Sequence, residues 1–138
     1  MKHSYEHIFR FIEVAATWLK NNPKETKFHY GLMREMTPAL KLNSQYKELV
    51  EDIDIKHCAT DERGVILRDE RGGYQFTKEG LNERNKERRK LFRSEVEIEP
   101  YYVTEVPDNL SPFEREAFAG FVINPESVEE VAQTGAGA

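Results

Sequence analysis

Ala59-Thr60-Asp61-Glu62-Arg63-Gly64-Val65-Ile66-Leu67-Arg68-Asp69-Glu70-Arg71-Gly72-Gly73-Tyr74-Gln75-Phe76-Thr77 is the stretch whose reading decides the fold. Asp61-Glu62-Arg63-Gly64 breaks a preceding helical pattern, because clustered charge and a glycine offer no apolar face. Val65-Ile66-Leu67 and Tyr74-Gln75-Phe76, set about Arg71-Gly72-Gly73, read as the two short strands of a β-hairpin. Thr77 has the side-chain oxygen of an N-cap, so a helix begins at Lys78 and runs to Arg93. The double glycine is a turn and not a phosphate loop: neither Gly-x-Gly-x-x-Gly spacing nor a following Gly-Lys-Ser/Thr accompanies it.

Upstream, Ile8, Ile12, Ala15 and Leu19 recur at helical spacing between Ser4 and Lys20, with Phe9, Phe11, Ala16 and Trp18 widening the stripe. Asn21-Asn22-Pro23 stops that helix, and Phe28, Leu32 and Met36 begin a second, antiparallel or nearly so. Proline costs about 3 kcal/mol in a helix interior, so Thr37-Pro38 is expected to mark a kink or a restart. A third helical segment then reaches Ala59, with a narrow seam of Leu42, Tyr46, Leu49, Val50, Ile53 and His57.

Downstream, Leu81, Arg88, Leu91 and Phe92 are all that remains of an apolar stripe on the helix from Lys78, which therefore needs a partner helix. Glu95-Val96-Glu97-Ile98-Glu99 alternates and is expected to be a strand with one acidic face. It continues past Pro100 into Tyr101-Tyr102-Val103 and is open to pairing with a neighbouring chain. Ser111-Pro112-Phe113-Glu114 combines an N-cap, a proline at the first helical position and a capping-box glutamate, starting a short helix through Phe118 toward Ile123. No internal repeat is read. The expected fold is mainly α with a small β component: an elongated helical hairpin tipped by a β-hairpin, plus a C-terminal strand and short helix. It forms a single domain over 1–123, followed by a flexible acidic tail over 124–138.

The 138 residues are enough for one core. A net charge of −5 argues against general attraction to nucleic acid or an anionic membrane. Cys58 is the only cysteine, which excludes an intrachain disulfide and fits a reducing compartment. The charged start, Met1 to Arg10, has no apolar run of the kind a signal peptide needs, and no stretch approaches a membrane span.

Residues that could carry chemistry fall short of a site. His3 and His7 share a helix face at the spacing that can hold a metal, but zinc needs about three or four protein ligands and no further one is placed beside them. His57 and Cys58 are adjacent on a helix and point apart, so they form no nucleophile and base pair. Glu95, Glu97 and Glu99 read as a solvated or edge-protecting face that could also meet a basic partner. From Lys78 to Arg93 seven basic residues stand against three acidic, a balance of about +4, whereas Ser94 to Ala138 holds ten acidic residues and only Arg115, about −9. Arg84, Arg88 and Arg89 are candidate contacts on the basic helix. Glu79, Glu83 and Glu87 recur along it and would repel phosphates there, so a salt-bridged helix docked on an acidic surface of another copy is expected at least as strongly as nucleic-acid binding. Phe113, Phe118, Phe121 and Ile123 are candidate apolar anchors for a partner, or else close the core. No catalytic residue, cofactor, metal or small-molecule substrate is expected.

The order of features, with Phe28-His29-Tyr30-Gly31-Leu32, Met36-Thr37-Pro38, Ala59 to Gly64, Gly72-Gly73-Tyr74-Gln75-Phe76-Thr77 and Glu95 to Glu99, resembles a family of small proteins encoded by tailed bacteriophages and prophages. The resemblance spans most of the chain, from the first helix to the Ser111-Pro112 helix, and departs in the arginine-rich helix and the tail from Val128. It implies a non-enzymatic virion structural or assembly accessory protein, found in the host cytoplasm during assembly and in the virion. Its partners would be other phage structural proteins or copies of itself, with no membrane. The alternatives are an accessory inhibitor that binds a host protein through its acidic strand and tail, and a nucleic-acid binder using the Arg84 to Arg93 helix.

Overall fold

Ser4 begins the first helix: its hydroxyl accepts the amide of His7 at 3.1 Å, supplying one of the partners that a helix start lacks. The computed structural model describes residues 1–126. It is mainly helical, with α1 (Tyr5–Asn21), α2 (Lys27–His57), α3 (Lys78–Arg93) and α4 (Pro112–Phe118). Four short strands join them: β1 (Lys2–Ser4), β2 (Glu95–Glu97), β3 (Tyr101–Tyr102) and β4 (Val122–Ile123). The chain divides into two compact units, Met1–Asn43 with Glu95–Ala138 and Ser44–Ser94, where length had suggested one domain over 1–123. Of the tail expected over 124–138, residues from 127 onward lie outside the described residues.

The first unit has an aromatic core. Phe11, with no exposed surface, stacks on Phe121 at 4.0 Å between ring centroids and meets Phe118 edge-on. Trp18 and Phe28 extend the cluster, and Ile8, Leu32 and Ala117 fill between them. Burying each large apolar side chain contributes roughly 1.5–3 kcal/mol, so this cluster dominates the unit's stability. The expected helix start at Ser111 is present in full: Ser111 and Glu114 satisfy one another's amides at 2.9 and 3.1 Å.

Two sequence expectations are corrected in this unit. The acidic strand does not wait for a neighbouring chain. β2 pairs antiparallel with β1, Lys2 opposite Glu97, and after an interruption at Ile98 to Pro100 the chain resumes as β3, parallel to β4. Proline has no amide to donate, so the ladder breaks there. The helix from Pro112 ends at Phe118, and Val122 and Ile123 form β4 instead of a further helical turn.

Pro38 neither restarts nor ends a helix, since α2 runs through it from Lys27 to His57. Phe28 and Leu32 before it and Ala39 after it are all buried, and that packing outweighs the cost of the proline.

The second unit pairs the end of α2 with α3. A Cβ on Gly80 would lie 2.6 Å from the carbonyl of His57, so only glycine lets the two helices approach there. Between them the expected strands at 65–67 and 74–76 are reduced to isolated bridges, and the stretch at Ala59 joins them as a third arm. Leu67 donates to the carbonyl of Ala59 at 3.0 Å, Gln75 to that of Leu67 at 3.0 Å, and Ala59 to that of Gln75 at 2.7 Å, which closes a ring of three main-chain bonds. The isolated bridges Thr60 to Ile66 and Arg68 to Tyr74 flank it.

The turns of this ladder are a repeat that the sequence reading passed over. Asp61-Glu62-Arg63-Gly64 recurs as Asp69-Glu70-Arg71-Gly72, and the two fold alike. The Asp61 carboxylate accepts the amides of Arg63 and Val65 at 2.8 and 3.0 Å, and that of Asp69 accepts those of Arg71 and Gly73 at 2.9 and 2.8 Å. Gly64 and Gly72 have φ of 81° and 80°, the left-handed conformation such turns require.

Candidate functional site

The predicted aromatic anchors separate into core and surface. Phe118, Phe121 and Ile123 are buried, and Phe113 alone is free, at 59% exposure. Of the two expected readings, Phe118, Phe121 and Ile123 follow the one in which they close the core, and only Phe113 stays on the surface. Phe118 and Phe121 are spent on Phe11, and β4 carries Ile123 inward beside β3. Glu95, Glu97 and Glu99 are exposed as expected, but Glu97 already has a partner. The N-terminal ammonium of Met1 donates to it at 2.7 Å, which holds its carboxyl below the usual range.

His3 and His7 form a pair and no larger cluster. Among the described residues no group of three or more His, Cys, Asp or Glu is placed to hold a metal ion. Their Nδ1 atoms are 3.0 Å apart, while Nε2 of His3 faces the carbonyl of Gly120 at 3.3 Å and Nε2 of His7 that of Glu116 at 3.1 Å. Two neutral imidazoles bring two N–H hydrogens to these three contacts. With both rings neutral one of the three contacts lacks a hydrogen, and with both charged the Nδ1 contact would set N–H against N–H. Burial, and then the neighbouring His7, hold the His3 pKa below its ordinary 6.5.

The basic helix is partly consumed within its own unit. Asp54, buried on α2, accepts Nε of Arg84 at 2.8 Å and Nη2 of Arg88 at 2.9 Å, and Arg84 also lies over the ring of Phe76. Glu87 accepts Lys56 at 2.8 Å and His57 at 2.9 Å, which lowers its pKa, with the Lys56 bond the larger cause. Arg89 remains exposed beside Glu79, Glu83 and Lys86. His57 is therefore turned to Glu87, whereas the Cys58 thiol donates to the carbonyl of Ile55 at 3.4 Å, so no nucleophile and base pair forms.

This unit has no fully buried apolar side chain, although Tyr46, Val50, Ile53, Ile66, Phe76, Leu91 and Phe92 are half-buried. Between Ser44 and Ser94 the one buried side chain is Asp54, while Leu49, Ile55, Val65, Leu67 and Leu81 are exposed. The sequence reading also missed Glu35. It occupies the buried stripe of α2, seven residues after Phe28 and four before Ala39, a register that calls for an apolar residue and is legible in that spacing.

No helix among the described residues is long and apolar enough to cross a membrane. No protein-family model, no curated protein and no solved structure matches the chain.

Proposed function

We propose that this chain is non-enzymatic and acts by protein–protein contact, as a structural or assembly component of a phage-type particle in which neighbouring copies cover the apolar surface of the Ser44–Ser94 unit. The observation that carries this reading is that no apolar side chain of this unit is fully buried while five large aliphatic ones are exposed. A unit of this size held by an ionic centre, with five large aliphatic side chains in water, gains most when a partner covers them. Repeated copies turn weak contacts into a firm assembly. The phage setting rests on the sequence resemblance alone.

The nucleic-acid alternative loses support, because Arg84 and Arg88 are committed to Asp54. An acidic mimic loses Glu97 to the Met1 ammonium. The test is mass spectrometry of purified virions from the encoding phage or induced prophage. A fixed ratio to a known shell or tail subunit supports the reading. Presence in the lysate with absence from particles rejects it.

A further inference from the structure

In the Met1–Asn43 and Glu95–Ala138 unit, a cleft of about 410 Å³ opens between α2 and the turn linking β2 to β3. Arg34, Glu35, Thr37 and Pro38 line it from the helix, and Glu99, Pro100 and Tyr101 from the turn. Glu35 is only 4% exposed, yet its Oε1 has no hydrogen-bond partner. An unmatched buried carboxylate oxygen costs several times what a typical hydrogen bond contributes, so it is retained only where something offsets the loss.

Other features of the cleft point to what would offset it. Glu99 adds a second carboxylate, and Pro38 has no amide to give the carbonyl of Arg34, leaving another acceptor short of its helical donor. The half-buried Tyr101 lines the cleft as well, its main chain beside Glu35 and its ring packed near Gly31 and Tyr30. The cleft is thus rich in acceptors. Its one cationic side chain, Arg34, is exposed and makes no ion pair within 4.0 Å among the described residues.

We infer that this cleft binds an organic cation bearing several N–H donors, an alkylammonium or guanidinium group, with Glu35 as its buried counter-ion, Glu99 as the second carboxylate and Tyr101 as a wall residue whose signals report binding. A divalent metal fits less well, because hard cations such as calcium take six to eight oxygen ligands and the cleft supplies few.

Proton linkage follows from the same geometry. Burial raises the Glu35 pKa to about 7, partly offset by the main chain of Tyr101, the Met1 ammonium and Arg34, while Glu99 raises it further. A bound cation needs Glu35 ionised, so binding tightens as pH rises through 7 and ligand lowers the Glu35 pKa.

The test is a carboxyl-detected NMR titration of the full chain with methylguanidinium and with methylammonium. Tetramethylammonium, which has no N–H, and sodium chloride serve as controls. The expected result is a fall of about one pH unit or more in the Glu35 midpoint with either donor cation, neither control matching it, and shifted Tyr101 ring signals. Glu35→Gln, close to isosteric and neutral, removes the Tyr101 shift, and Arg34→Ala strengthens it. A Glu35 midpoint that donor cations and sodium chloride move equally would overturn the proposal, as would a midpoint that returns to the ordinary range only while Arg34 is present, which would make Arg34 the cleft's own cation. Spermidine and a blocked arginine peptide, compared at equal charge concentration, then separate a free amine from a partner's side chain.

Discussion

Two buried titratable residues set opposite pH slopes on stability. Glu35 has a folded pKa of about 7 against an ordinary 4.5, so the native state binds more protons between those values. Its destabilising charge is absent below about 4.5 and grows as pH rises, reaching roughly 3 kcal/mol above pH 7 at about 1.4 kcal/mol per pH unit. Glu35→Gln is therefore expected to leave stability almost unchanged at pH 5 and to raise it by about 2–3 kcal/mol at pH 8, read from urea unfolding. His3 has a lowered folded pKa, so its contribution is complete above 6.5 and is lost as pH falls through the folded value. His3→Gln should flatten the acid side of the stability profile and leave the alkaline side alone. Neither role was visible as chemistry in the sequence. The histidine spacing alone fell short of a metal site, and the contacts to Gly120 and Glu116 depend on residues more than a hundred positions away.

At the scale of elements, the central question is what holds α2 against α3. The bridge from Asp54 to Arg84 and Arg88 joins the two helices at the unit's one fully buried side chain, so Asp54→Ala leaves two partly buried guanidiniums without a counter-charge. The expected loss is about 3 kcal/mol of stability, with melting of the Ser44–Ser94 unit ahead of the aromatic one, followed by hydrogen exchange. The two Asp-Glu-Arg-Gly turns give a matched pair of tests. Gly64→Ala and Gly72→Ala should each cost about 1–2 kcal/mol and by similar amounts, because both sit at the same left-handed φ. Helices were legible wherever a cap and an apolar stripe agreed, as at Thr77 and Ser111. The continuity of α2 through Pro38 was not, because it depends on Ala39 finding a core built from Phe28 and Leu32. Nor was the arm at Ala59, whose hydrogen bonds are main-chain and leave no side-chain pattern.

At the scale of the whole molecule, the chain holds one unit closed by stacked aromatics and one closed by ions. The mainly helical class followed from composition and periodicity, since it needs only local pattern. The division into two units did not, because exposed aliphatics and core aliphatics look alike in sequence; Leu49 and Leu32 differ only in what lies opposite them. For the same reason Phe118 and Phe121 could not be told from surface anchors in sequence, and Phe11 draws them into the core. A role through contact places the functional surface in the ionic unit, and that is open to a direct reading. Hydrogen–deuterium exchange of the full chain over about a hundredfold range of concentration resolves it segment by segment. The account predicts fast exchange across residues 44–94 when dilute, with protection rising on concentration around Leu49 to Ile55, Val65 to Leu67 and Leu81, while the Phe11 and Phe121 region stays slow throughout. Residues 44–94 as protected as the aromatic unit when dilute, and unchanged on concentration, would contradict it.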